Sequence, residues 1–333
     1  MAANAADLNS IISFIREGKR FTLLSHLSPD GDTLGSSLAL MFLLQRLGKT
    51  CEVVCPNPVP KIYAFMPGSE AVLLPEDAAG YEKVIAVDCA DTPRFGRAIR
   101  FFNDAEATAA IDHHITNPGF AGTNVVVPEA SATAEVICEL FRRMDMPVDS
   151  TVAVCLYTGI VTDTGNLSYS NTTPNALRII ADFVERKLVD ISDLNRRIYR
   201  TVPYAKTRVQ GFVTSRIRLE CGGAVGIGTL TQAQMHDFGA TNEDCEGIVD
   251  CVRDIDTVKI AAFIRESADG TYKVSLRSKF IGDVGRIAGL HGGGGHERAA
   301  GYTARESLST VIADIIAQAE EELRRAEAEQ GNK

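Results

Sequence analysis

The stretch FTLLSHLSPDGDTLGSSLALMFLLQRLG, residues 21–48, decides the reading of the chain. Its first part, FTLLSH (21–26), has the length and composition of a buried strand. A helical pattern follows, with Leu34, Leu38, Met41, Phe42 and Leu44 on one side and Gly48 as its stop. Between them, Pro29 and Gly31 force a tight turn that carries Asp30 and Asp32. A strand that passes into a helix through a short turn is the unit of a parallel sheet. The same pattern continues outward. CEVVC (51–55), KVIAVDCA (83–90) and ATAAIDHH (107–114) read as strands. SATAEVICELFRRM (131–144) reads as a helix with Ser131 as its cap and Glu135 in its first turns, and two more helical patterns lie near 150–162 and 174–187. The expectation is an α/β domain: a parallel sheet with helices on both faces, binding its ligand beyond the carboxyl ends of the strands.

After residue 188 the pattern changes. Residues 188–211 are charged and weakly periodic, which suggests a short helix and then a linker. FVTSRIRLE and AVGIGTL flank Cys221-Gly222-Gly223, and VKIAAFIRES and TYKVSLRS flank Asp269-Gly270; both pairs read as hairpins. Thr231 and Asp283 can cap short helices, and a charged helix spans 305–328. This is a smaller α+β C-terminal domain. The expected division is 1–190 for the first domain, 191–211 for a linker and 212–333 for the second domain.

Composition narrows the function classes. The chain has 333 residues, enough for about two domains, and its 45% hydrophobic content supports sizeable cores. A formal net charge of −9 argues against non-specific binding to long duplex DNA. None of the eight cysteines forms a Cys-x-x-Cys pair, so zinc-ribbon spacing is absent and the thiols read as reduced small hydrophobes. IISFI near the N-terminus is too short for a signal peptide, and no apolar run reaches the ~18 residues of a membrane span. The expected location is cytoplasmic.

Four strand or helix ends carry unusual residues. His26, Asp30 and Asp32 follow the first strand, Asp88 stands at the tip of KVIAVDCAD, Asp112-His113-His114 end ATAAIDHH, and Asp163 ends GIVTD. Each alone has an ordinary explanation as a helix cap, a turn acid or a core histidine. Together, His26, Asp30, Asp32, Asp88, His113 and Asp163 offer more ligands than one octahedral ion needs. Two ions sharing a carboxylate do use such a set. Mixed imidazole and carboxylate donors suit Mn²⁺, or less selectively Mg²⁺, Co²⁺ or Fe²⁺, and disfavour a thiolate-type zinc site. Two divalent ions about 3.5–4 Å apart are the usual apparatus for in-line attack on phosphorus.

The motifs HLSPDGDTLGS (26–36), AVDCAD (86–91), AIDHHITN (110–117) and YTGIVTDTGNLSYSNTT (157–173), in that order, resemble those of the DHH phosphoesterase family. GGGGHERAAG (292–301) looks like the signature of the DHH-associated C-terminal domain, so the resemblance covers nearly the whole chain. The two-domain layout without extra modules looks most like the nano-RNase type, which degrades very short RNA and dephosphorylates 3′-phosphoadenosine 5′-phosphate (pAp). The resemblance implies two Mn²⁺ ions that activate water: His26, Asp30 and Asp88 would hold one, and Asp32, Asp88, His113 and Asp163 the other. It implies that Asp112 orients an imidazole and that His114 faces the substrate phosphate, so that Asp88 and His114 carry the catalysis. One departure is Leu167, where the family pattern leads one to expect an aromatic, a change that touches base contacts and not the metal site.

Residues 271–305 hold six basic side chains against two acidic ones. Arg277 and Ser278 end a strand, and Gly292 to Gly295 precede His296 without the Lys-Ser/Thr of a Walker loop. One glycine would serve as a helix C-cap; a run suggests close approach of backbone to a ligand. Arg277, Ser278, Gly293, Gly294, Gly295 and His296 are therefore the expected substrate-binding residues, with the active site in the cleft between the domains. The expected partners are short single-stranded RNA or dinucleotides of about two to five residues, and pAp, with no membrane and a homodimer left open. The alternatives are a phosphodiesterase for pApA or cyclic dinucleotides, a manganese-dependent inorganic pyrophosphatase, against which GGGGHERAAG speaks, and a non-catalytic metal-binding regulator.

Overall fold

The structure is a computed structural model that describes residues 5–331. The chain divides into two compact units, Met1–Thr201 and Val202–Lys333. In the first, helix α1 (Ala5–Glu17) leads into β1 (Arg20–Leu24), α2 (Gly31–Arg46), β2 (Thr50–Val54), β3 (Val72–Leu73), β4 (Lys83–Val87) and α3 (Ile99–Asn103). There follow β5 (Ala107–Asp112), β6 (Thr123–Val126), α4 (Thr133–Arg143), α5 (Ser150–Asp163), α6 (Pro174–Glu185) and α7 (Ile191–Tyr199). The six strands form one wholly parallel sheet in the order β3-β2-β1-β4-β5-β6.

Strand periodicity sorts the side chains onto two faces. Phe21, Leu23, Val53, Ile85, Val87, Ala109 and Ile111 pack under the long helices α1, α2, α4 and α5. The alternate residues Leu24, Val54, Val84, Ala86 and Ala110 pack under Phe95, Ala98 and Phe101, which come from a 3₁₀ turn (Thr92–Ala98) and α3. Both faces are covered, as expected, but one of them by short elements. Helix α2 is buried on nearly all sides because it lies inside this layer. Strands β1 and β4 are neighbours, yet the chain runs from β1 to one edge and from β4 to the other. Their carboxyl ends flank the topological switch point, where parallel sheets bind ligands.

The second unit holds α8 (Tyr204–Thr214), β7 (Arg218–Glu220), β8 (Val225–Leu230), α9 (Gln232–Phe238), α10 (Ile248–Arg253), β9 (Ile260–Glu266) and β10 (Tyr272–Ser278). It closes with α11 (Val284–Leu290), β11 (Gly294–His296), β12 (Ala299–Ala304) and α12 (Leu308–Gly331). Its sheet runs β11-β12-β10-β9-β8-β7, antiparallel except for β8 beside β9. Thr231 caps α9 in a reciprocal capping box, and Asp283 caps α11.

Three local readings differ. Phe212–Thr214, read as strand, belongs to α8, because Val209 and Val213 point one helical turn apart into the core. The stretch 191–211 is mostly helical, and the division between the units falls between α7 and α8. Ser131 does not cap α4: the helix starts at Thr133, and its first amides are taken by a side chain from another element. No described helix is long and apolar enough to cross a membrane.

Candidate metal centre

His26 lies two residues beyond β1. Its Nδ1 stands 2.7 Å from the Leu27 carbonyl, so Nδ1–H donates there and Nε2 turns inward. Nε2 is 3.7 Å from Asp30 Oδ2 and 3.7 Å from Asp88 Oδ2. Asp30 is held by its second job. It is the N-cap of α2, accepting the amides of Asp32 at 3.1 Å and Thr33 at 3.0 Å.

Asp88 follows β4 at once and adopts φ +57°, a left-handed conformation that aspartate tolerates but that costs roughly 1–2 kcal/mol. Two bonds fix it there. Its amide donates to the Ile111 carbonyl of β5 at 2.9 Å, and Thr133 Oγ1 donates to its Oδ1 at 2.8 Å. Strain kept in place by surrounding bonds is a mark of functional sites.

Asp32 reaches across to the start of α4. Its two oxygens accept the Thr133 amide at 2.6 Å and the Ala134 amide at 2.9 Å, and Ser36 donates at 3.1 Å. The carboxylate thus caps a helix 100 residues away in sequence and meets the positive end of its dipole. Gly159 of α5 leaves the space, since a Cβ there would stand 2.7 Å from Asp32 Oδ1. His113 Nδ1 lies 3.3 Å from the Ala130 carbonyl; Nε2 faces Asp163 Oδ2 at 3.4 Å and Asp88 Oδ1 at 3.8 Å.

His114 is turned differently. Its Nδ1–H donates to Asp112 Oδ1 at 2.7 Å. Asp112 also accepts the His113 amide at 2.8 Å and Asn117 Nδ2 at 2.7 Å, so it is buried and saturated. Three groups of donors lie within 4.8 Å of one another: His26, Asp30 and Asp88; Asp32, His113 and Asp163; and Asp88, His113 and His114. In the third, the His114 nitrogen that lies 3.8 Å from Asp88 Oδ1 is Nδ1, which already donates to Asp112. The first two remain, joined through the two oxygens of Asp88.

Crowded acids shape the charge of the cluster. Burial and the charges of Asp88, Asp163 and Asp30 push Asp32 well above the usual carboxylate range. Burial, helped by Asp88 and Asp30 and opposed by His113, lifts Asp163 to about 6. For His26, burial opposes the cation, but hydrogen bonds and charge from Asp30 and Asp88 outweigh it and raise the pKa to about 10. Such a cluster attracts positive charge. Hard carboxylate oxygens beside inward-turned imidazole nitrogens fit divalent cations of the Mn²⁺ type, and the fit names no single metal.

In the second unit, strand alternation sends Arg277 and Ser278 to opposite faces of β10. Arg277 Nε pairs with Asp250 Oδ1 at 3.3 Å, while Ser278 Oγ donates to the Glu297 carbonyl at 3.2 Å. His296, Ala299 and Arg277 are successive cross-strand partners, so His296 shares the face of Arg277. The glycines divide. A Cβ at Gly293 would stand 2.3 Å from the Gly301 carbonyl and one at Gly295 2.5 Å from the Ala299 carbonyl, so β12 itself requires both. Gly294 faces open space. Leu167 packs against the core of the first unit, whereas Tyr169, two residues on, is exposed.

Sequence reasoning missed Thr133 and Asn117. Asn117 stood inside the quoted AIDHHITN; Thr133 carried no signal, because its partners come from distant strands. Thr133 joins both donor groups, with its amide on Asp32 and its hydroxyl on Asp88. Thr133→Val keeps shape and amide but removes the hydroxyl. If the cluster holds a divalent cation, Mn²⁺ binding should weaken about 10- to 100-fold in this variant, the usual effect of losing a hydrogen bond to a metal-ligating side chain. Thr133→Ser should restore it; an unchanged metal titration in the valine variant would contradict this role.

Residues 20–160 match the DHH family, N-terminal domain, and residues 226–325 match the DHHA1 domain. Over 309 residues the chain is 33% identical to the bifunctional oligoribonuclease and PAP phosphatase NrnA of Thermus thermophilus, spanning 91% of this chain and 90% of that protein. It is 24% identical to the protein of the same name from Bacillus subtilis, over 87% of this chain and 91% of the relative. The crystal structure of an exopolyphosphatase-related protein from Bacteroides fragilis superposes with a TM-score of 0.88 at 27% identity, covering 93% of this chain and 94% of that one.

Proposed function

Because this chain belongs to the DHH family and is a phosphoesterase, a hydrolase, we propose that it hydrolyses very short RNA oligonucleotides from an end and removes a phosphate from pAp, using two divalent cations. The observation that carries the reading is the pair of donor groups that meet at Asp88, at the switch point of the parallel sheet. The names of the relatives supply the substrate class.

His26, Asp30 and Asp88 would hold one cation, and Asp32, Asp88, His113 and Asp163 would hold the other. Bound there, the cations would polarise a phosphoryl oxygen and lower the pKa of water. The side chains do the rest. Helix α4 and Thr133 hold Asp32 and Asp88 at fixed angles, so the donors need no rearrangement. Burial works against a charged His114, but the hydrogen bond to Asp112 and the charge of Asp88 outweigh it and raise its pKa. Nδ1–H is committed to Asp112, and when the ring is protonated Nε2–H is left as a donor for a phosphoryl oxygen. Asp112, itself held below its ordinary pKa because His114 and Asn117 outweigh its burial, orients the ring.

Arg277 and His296 hold the end of the substrate distant from the scissile bond. Arg277→Ala and His296→Ala should each lower kcat/KM for a dinucleotide about 10- to 100-fold, chiefly through KM, by loss of charged hydrogen bonds. Bis-p-nitrophenyl phosphate, which has no such end, should be hydrolysed as before. Equal damage to both substrates would contradict the assignment.

The reading is tested by supplying Mn²⁺ and comparing pAp, pApA, short RNA and pyrophosphate. Turnover of short RNA and pAp ahead of the others supports it. Preference for pApA favours the dinucleotide reading, and hydrolysis of pyrophosphate alone overturns the proposal.

A further inference from the structure

Arg94 lies on the 3₁₀ turn Thr92–Ala98 beside the metal centre, and its position is determined from several sides. Asp91 Oδ1 accepts its amide at 3.3 Å, and its carbonyl accepts the Leu27 amide at 2.8 Å. Next to it, Phe95 is fully buried against Phe102 and Phe120, with ring centroids 5.4 and 5.9 Å away. Gly96, at φ +47°, lies against the Leu27 side chain so closely that a Cβ would come within 2.9 Å of it. The turn is therefore clamped to the segment that carries His26.

From this base the half-buried guanidinium reaches the cluster. One terminal nitrogen is 3.3 Å from His26 Nδ1, and its charge is felt by His114 and Cys89. The contact with His26 satisfies neither group. His26 Nδ1–H donates to the Leu27 carbonyl at the shorter distance of 2.7 Å, so it offers no lone pair to the guanidinium. No carboxylate lies within ion-pair distance of Arg94 among the described residues. An arginine amid acids would ordinarily pair with one of them. Here the acids turn towards each other and the imidazoles, and the guanidinium keeps its donors free.

We propose that Arg94 is a substrate-binding residue that takes an oxygen of the scissile phosphoryl group. A guanidinium is suited to this, since it is always charged and presents paired donors to a phosphate. The inference rests on the hydrolase reading above and adds a residue to it. It commits Arg94 to the reacting phosphate rather than to the far end of the substrate, so every substrate should feel its loss.

The test compares Arg94→Gln and Arg94→Lys with the unaltered protein, all loaded with Mn²⁺. Three quantities are read: hydrolysis of pAp, of a ribodinucleotide and of bis-p-nitrophenyl phosphate; binding of inorganic phosphate by calorimetry; and binding of Mn²⁺. For Arg94→Gln we expect kcat/KM to fall about 10- to 100-fold on all three substrates, phosphate binding to weaken in parallel, and Mn²⁺ binding to stay within about twofold. Arg94→Lys should recover part of the loss. Weaker Mn²⁺ binding would show that Arg94 only steadies His26, and an effect confined to the nucleotides would place it at the far end; either overturns the inference. If the unaltered protein hydrolyses none of the substrates, the hydrolase reading fails, and phosphate binding still judges Arg94. Normal activity and normal phosphate binding in both variants would sink the inference alone.

Discussion

Asp88→Asn is expected to reduce hydrolysis of every substrate by roughly 10³-fold or more, the scale on which a preorganised charged group acts at a reacting centre. Among the described residues, Asp88 is the carboxylate whose two oxygens face both donor groups, at 3.7 Å from His26 and 3.8 Å from His113. Asparagine is the informative replacement. It tolerates the left-handed backbone at this position and can still accept the bond from Thr133. Fold and geometry should persist while the shared charge is lost. With chelator present, the melting temperature should change little, because a neutral side chain relieves repulsion with Asp32 and Asp163 but gives up attraction to His26 and His114. Measuring activity, bound metal and melting together checks this. Near-normal turnover by the folded variant would refute the shared-ligand assignment, and a large drop in melting temperature would mean that Asp88 serves the fold.

His114→Ala is the second large effect, and it should separate from the first in kind. His114 commits Nδ1 to Asp112, and we propose that it donates a hydrogen bond to the substrate and does not ligate a cation. Its loss should lower kcat about 10²- to 10³-fold, the range for a preorganised hydrogen-bond donor at a reacting centre, while bound Mn²⁺ stays constant. The neighbouring His113→Ala should do the reverse to the metal, because His113 Nε2 faces Asp163 and Asp88. Metal content read beside activity decides the matter. Metal lost from the His114 variant and kept in the His113 variant would mean the two roles are exchanged.

The parallel sheet was legible because local pattern and topology agree: each apolar run is short, a helix follows the first strand directly, and each unusual acid or histidine stands at a strand or helix end. The meeting of His26, Asp30, Asp88, His113 and Asp163 follows from that arrangement. What stayed hidden depends on partners distant in sequence. Asp32 reads locally as a cap for the helix beside it, yet Asp30 caps that helix and Asp32 caps α4. Ser131 reads as the cap of α4, yet its hydroxyl accepts the Thr173 amide at 2.8 Å and donates to the Asn171 carbonyl at 2.8 Å. That pairing ties α4 to the loop after Asp163. Two glycines of the 292–295 run answer to β12, a contact that appears only once the strands are paired. The opposite facing of Arg277 and Ser278 was within reach of the sequence, because it follows from strand alternation alone.

Anomalous diffraction from crystals grown with Mn²⁺ tests the central claim most directly. The account predicts two peaks per chain, one held by His26, Asp30 and Asp88, the other by Asp32, Asp88, His113 and Asp163, with Asp88 touching both and His114 touching neither. A single peak, or a peak ligated by His114, would contradict it.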